Sequence, residues 1–128
     1  MKSIMTLVIS ILLVLSFGIW EIGYLEETSD YVLGDVDYVQ GVLENKHKGY
    51  KEREDAVNTL KETWKSVKSP WSIYINHAEI DSINQRVISY SVYVLEDNKL
   101  EATNEYQNLV DNIMHIVDSQ KLLPKNVF

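Results

Sequence analysis

The sequence has 128 residues, with 19 acidic side chains against 12 basic ones and a formal net charge of −7. That length suits one domain with a modest core, and the acidic balance argues against nucleic acid, whose phosphates need a basic surface. There is no cysteine, which excludes disulfides, thiolate metal sites and a cysteine nucleophile.

The first predicted element is an uncharged apolar run from Ser3 to Trp20. At 1.5 Å rise per residue it spans about 27 Å, close to a bilayer's hydrocarbon core. Thr6, Ser10 and Ser16 can bond back to helix carbonyls, so they do not spoil it. A secretory signal peptide would have a shorter apolar stretch and an A-x-A-like cleavage site. Ser16-Phe17-Gly18 is a poor match, and no break follows the run, so residues 1–20 read as an uncleaved transmembrane anchor. Lipid is the expected partner of residues 3–20, with Trp20 and Tyr24 at the membrane interface. Lys2 and the α-amino group flank one side, whereas Glu21, Glu26, Glu27 and Asp30 flank the other. The positive-inside rule therefore places the N-terminus in the cytoplasm and residues 21–128 outside it. That part carries 11 basic residues against 19 acidic ones, a formal charge of −8. Repulsion from anionic lipid is expected to hold it off the membrane surface.

From Ile22 the apolar positions step by three and four through Leu25, Ser29, Val32, Val36, Val39 and Leu43. This seam is in line with the apolar run, so the spacing predicts one helix from about Ser3 to Glu44. Gly34 and Gly41 lie on another face. They either weaken the helix, by about 1 kcal/mol each relative to Ala, or admit a closely packed partner helix. After a turn at Asn45–Tyr50, Val57, Leu60, Trp64 and Val67 predict a second helix over about 51–68. Ser69-Pro70 reads as the start of a third, with Trp71 and Ile73 entering the core and Ile80, Ile83, Val87, Tyr90 and Val94 continuing the stripe. A strand over VISYSVYVL is set aside because the helical phase runs straight through it. A fourth helix, about 100–119, uses Leu100, Thr103, Tyr106, Val110, Ile113, Met114 and Val117. A proline stop and an apolar Val127-Phe128 end follow, the latter a candidate partner contact. The expected fold is all-α: a transmembrane helix continuing into an antiparallel bundle of about four helices.

His77, Glu79 and Asp81 are the closest approach to a chemical motif. On a helix His77 and Asp81 share a flank, whereas Glu79 lies about 200° round from His77. No regular helix lets one metal ion bind all three, and two ligands fall short of the three or four that a zinc site needs. His77 and Asp81 remain the weak metal candidates, and the expected reading is a surface pair worth about 0.5 kcal/mol. Trp64 and Trp71 could stack around a ligand, but core packing is the expectation. No residue is assigned a catalytic role and none a cofactor.

Three stretches carry a resemblance along nearly the whole chain: FGIWEIGYLEETSD (17–30), WSIYINHAEIDSI (71–83) and LPKNVF (123–128). In order and spacing they resemble an uncharacterised family, domain of unknown function 4363. The resemblance implies a small single-pass membrane protein of anaerobic, spore-forming bacteria, in the cell or spore membrane, with a helical extracytoplasmic part. It implies no activity, and it suggests a YetF-like membrane protein (domain of unknown function 421) as partner. The expected function is a membrane-anchored, non-enzymatic accessory protein of the bacterial envelope. The alternative is an extracytoplasmic ligand- or metal-binding sensor domain. An enzyme using His77 with Asp81 ranks third, for want of a nucleophile or an oxyanion device.

Overall fold

A computed structural model describes residues 2–127, with side chains described as far as Gln120. Four helices follow one another, α1 (Lys2–Glu44), α2 (Tyr50–Trp71), α3 (His77–Leu95) and α4 (Lys99–Val127), and there is no strand among the described residues. They run up, down, up and down. Each neighbours the next, α4 closes back on α1, and the diagonal pair α1–α3 scarcely touches.

At 43 residues α1 is about 65 Å long, far longer than its partners require. Among the described residues no other element packs on its lower half, and every side chain from Lys2 through Phe17 is exposed. Its upper half presents Leu25, Ser29, Val32, Val36, Val39 and Leu43, all buried, on the seam the three-four spacing predicts. Thr28, Gln40 and Val42 are buried beside them. The matching stripe of α2 is Val57, Leu60, Trp64, Val67 and Trp71, and that of α3 is Ile80, Ile83, Val87, Tyr90 and Val94. Burying such a side chain contributes about 1.5–3 kcal/mol, so truncating a central one such as Leu60 to Ala costs about 2–5 kcal/mol.

Ser69-Pro70 does not begin a helix. Pro70 lies in the last turn of α2, and α3 starts at His77 behind Asn76, whose Oδ1 accepts from the Ala78 N–H at 2.8 Å. The stripe explains this. Trp71 is four residues past Val67 and fully buried, so core burial carries α2 over one missing proline donor. Ile73 consequently falls in the bend and is 81% exposed, not in the core.

α4 is rotated from its expected phase. Ala102, Leu109, Ile113 and Ile116 are buried, while Leu100 and Met114 are exposed and Tyr106, Val110 and Val117 only flank the core. The helix also passes Pro124 to reach Val127, since one proline removes a single backbone donor.

The two upper links are tight. Gly49 precedes α2, and its N–H donates to Glu52 Oε2 at 2.8 Å. At Glu96–Asn98 the chain reverses with Asp97 at φ 56°, Asn98 N–H bonding Tyr93 O and Asp97 N–H bonding Val94 O. This is a Schellman end with aspartate where glycine is usual.

Candidate functional site

The free half of α1 is the most prominent surface of the molecule. Its 18-residue apolar window has a mean hydropathy of 2.3 and none of it is buried inside the chain. Thr6 and Ser10 bond back to Lys2 O and Thr6 O, both at 2.8 Å, so their hydroxyls are satisfied without water. Where the apolar window gives way to the bundle, Phe17, Trp20 and Tyr24 form an aromatic run. The Trp20 and Tyr24 rings are stacked with centroids 5.4 Å apart, and Phe17 lies 5.9 Å from Trp20.

Just above this run lies the lower end of the bundle. The Trp71 indole donates to Thr28 Oγ1 at 2.8 Å, and Thr28 donates to Tyr24 O at 2.7 Å. Trp64 meets Trp71 edge-on at 5.7 Å and donates to Asn84 Oδ1 at 3.1 Å. The two tryptophans are thus core and hydrogen-bonded, and they fasten α2 to α1 and α3. Tyr74, in the α2–α3 bend, has a buried hydroxyl with no hydrogen-bond partner among the described residues. Burial, reinforced by Glu21 and Tyr24, pushes its pKa up to about 12.

A second polar feature crosses the upper bundle. Gln40 on α1 accepts from the Tyr90 hydroxyl at 2.8 Å and donates to Thr103 Oγ1 at 3.0 Å and Glu44 Oε1 at 3.2 Å. Tyr106 donates to Asp37 Oδ1 at 2.6 Å. Burial raises the Tyr90 pKa well above the usual phenol range, with Tyr106, Asp37 and Glu44 adding to it. The hydrogen bond to Asp37 raises that of Tyr106. Asp37, Gln40, Gly41, Glu44, Thr103, Tyr106 and Gln107 line a depression of about 300 Å³ over this network. The network was not visible in the sequence, because it depends on three helices meeting at one level.

The motif around His77 is dispersed. His77 is the first residue of α3, both it and Asp81 are exposed, and they form no ion pair among the described residues. At a helix's first turn the side chains of such a pair are free to point into solvent. Glu79 instead shares a groove of about 120 Å³ with Ser82, Asn112, His115 and Ile116. No three metal-binding side chains converge among the described residues. Gly34 and Gly41 are exposed, and nothing lies within 4 Å of where a Cβ would stand. Among the described residues no helix packs closely against them. The Val127 and Phe128 side chains lie outside the described residues.

The arrangement defines a class: an all-α, four-helix antiparallel bundle carried on a long first helix whose apolar half is unpartnered. The chain belongs to the family described as domain of unknown function (DUF4363), which matches residues 19–127. The match takes in the Trp20–Tyr24 pair and the whole bundle. No curated protein and no solved structure matches the chain.

Proposed function

We propose that the protein is a single-pass, membrane-anchored accessory subunit of the envelope of a spore-forming bacterium, with its N-terminus in the cytoplasm and its bundle outside. One observation carries this reading. An apolar helix segment of spanning length has none of its surface buried inside the chain, yet it is continuous with a helix whose other half is the spine of a packed core. Such a surface needs lipid, and the stacked Trp20–Tyr24 pair stands where the aliphatic side chains end. Lys2 on one side and four carboxylates within the ten residues after Trp20 on the other support the orientation.

The bundle offers surface for binding and little for catalysis. His77 and Asp81 are exposed, and Glu79 and His115 border only a shallow groove. The function proposed is therefore non-enzymatic: a rigid bundle held beside a membrane-protein partner, for which a YetF-like protein is the candidate. Protease added to intact cell-wall-free protoplasts should remove the bundle and spare residues 1–20. Purification from mild detergent should recover a stoichiometric membrane protein. A bundle protected in intact protoplasts, or a chain released by alkaline washing, would overturn the reading.

A further inference from the structure

The helix order puts the α2–α3 bend at the same end of the bundle as the aromatic run. Thr28 on α1 accepts from the Trp71 indole, and the Glu21 carboxylate is near enough to act on the Tyr74 hydroxyl. Thr28 stands eight residues, about 12 Å, above Trp20 along α1, and the chain descends from Trp71 into the bend, so the bend stands within about two helical turns of the level of Trp20. From this placement we propose that Ile73 inserts into the lipid interface of the bilayer that holds α1, giving the bundle a second, shallow membrane contact. The inference rests on the anchor reading above.

Three observations converge on it. Ile73 is 81% exposed, more than any aliphatic side chain of the free helix, whereas Trp71 and Ile75 on either side of it are buried. Two residues along from each buried neighbour, it points away from the core. Its own stretch of chain is also uncharged. Ser69 to Ala78 contains no aspartate, glutamate, lysine or arginine, in a chain of net charge −7. The two links at the opposite end are charged, with Lys46 and Lys48 in one and Glu96 and Asp97 in the other. Leu100 at that opposite end is 72% exposed, but it stands between Lys99 and Glu101.

The third observation is the backbone. A segment entering the headgroup–acyl boundary loses water, so its polar groups need partners from the protein. The bend supplies them for three successive backbone donors. Ile73 N–H bonds Pro70 O at 3.2 Å, Tyr74 N–H bonds Trp71 O at 3.2 Å, and Ile75 N–H bonds Trp71 O at 2.9 Å. A single exposed isoleucine does not anchor a protein. Added to a transmembrane helix it restricts the tilt of the bundle, so that one fixed side faces a neighbouring membrane protein. Repulsion of the acidic body from anionic lipid is weakest along this stretch, which carries no formal charge of its own.

The absence of native cysteine allows the test in the full chain. Ile73→Cys, Leu100→Cys and Leu12→Cys are each labelled with an environment-sensitive fluorophore and reconstituted into phosphatidylcholine vesicles containing spin-labelled lipids of shallow or deep label position. The expected result is strong quenching of the Ile73 probe by the shallow label, none of the Leu100 probe, and quenching of the Leu12 probe by the deep label. An Ile73 probe as wet and unquenched as that at Leu100, with Leu12 still quenched, overturns this proposal and leaves the anchor standing. A probe at Ile73 that is shielded from water but untouched by either lipid label overturns it in favour of a protein contact. An unquenched Leu12 probe overturns the anchor and this proposal together.

Discussion

The Tyr90 hydroxyl on α3 donates to Gln40 Oε1 on α1 at 2.8 Å, within a core built mainly of aliphatic and aromatic side chains. The pair bridges the diagonal of the bundle, where the two helices have little other contact. Gln40 also bonds Thr103, so one side chain registers α1 against α3 and α4. Removing one partner strands the other, at about 1–3 kcal/mol. Gln40→Leu and Tyr90→Phe are each expected to destabilise by about that much. The double variant should lose less than the two losses combined, with a coupling of about 0.5–3 kcal/mol. Chemical unfolding of the full chain in detergent, followed by circular dichroism, measures all four corners.

Thr28 is the corresponding fastener at the lower end. Its hydroxyl accepts from Trp71 Nε1 and donates to Tyr24 O. Thr28→Val keeps the shape and orphans the buried indole N–H, which should cost about 1–3 kcal/mol. Thr28→Ser keeps the acceptor and should lose much less. Because the damage is local, hydrogen exchange should quicken first at Ile73, Tyr74 and Ile75, whose amides hang from the end of α2. Uniform acceleration along α2 would contradict a local role.

How far these features could be read beforehand follows from the physics of each. The seam of α1 was legible because nearly every heptad position is aliphatic and nothing local competes. The third helix was legible through VISYSVYVL, where burial at Val87, Tyr90 and Val94 outweighs β-propensity. The α2–α3 boundary was not, because Ser69-Pro70 is a strong local start signal that the distant burial of Trp71 overrides. The exposure of Ile73 went unseen for the same reason. In α4 a scan for large apolar residues passes over Ala102 and picks Leu100, so the stripe appears about 100° from where packing sets it. Gln40 looks like a surface residue until Tyr90 and Thr103 are brought to it from other helices. The failure of His77 and Asp81 to pair was not legible, because it depends on side-chain freedom at a helix's first turn.

Tyr74 gives the pH dependence its sign. Its hydroxyl is buried without a partner, and burial raises its pKa from 10.0 to about 12. A raised folded-state value means that the neutral form is favoured in the fold. Stability is therefore fully present below pH 10.0 and declines as the pH rises from there toward 12. Tyr90 and Tyr106 are shifted in the same direction and steepen the decline. Tyr74→Phe removes an unsatisfied hydroxyl, so it should leave stability at neutral pH unchanged or raised and should flatten the alkaline loss. Unfolding midpoints across alkaline pH, read beside phenolate absorbance, test both arms. A clear loss of stability at neutral pH would show that the hydroxyl has a partner in the membrane-bound protein.

Gly34 and Gly41 separate the stability of the chain from its assembly. Both lie within α1, and nothing within 4 Å would meet an added methyl group at either position. Glycine inside a helix costs about 0.5–1 kcal/mol relative to alanine, because the unfolded chain gives up more freedom. Gly34→Ala and Gly41→Ala should therefore stabilise the isolated protein by about that much each, and almost additively. The same substitutions discriminate on the question of a partner. A helix of another protein seated against these glycines would meet the new methyl groups, so recovery of that partner from detergent would fall while the chain itself became more stable. Partner recovery unchanged in the double variant would assign the glycines no role in assembly. The contact would then have to lie on another face of the bundle or on the membrane helix itself.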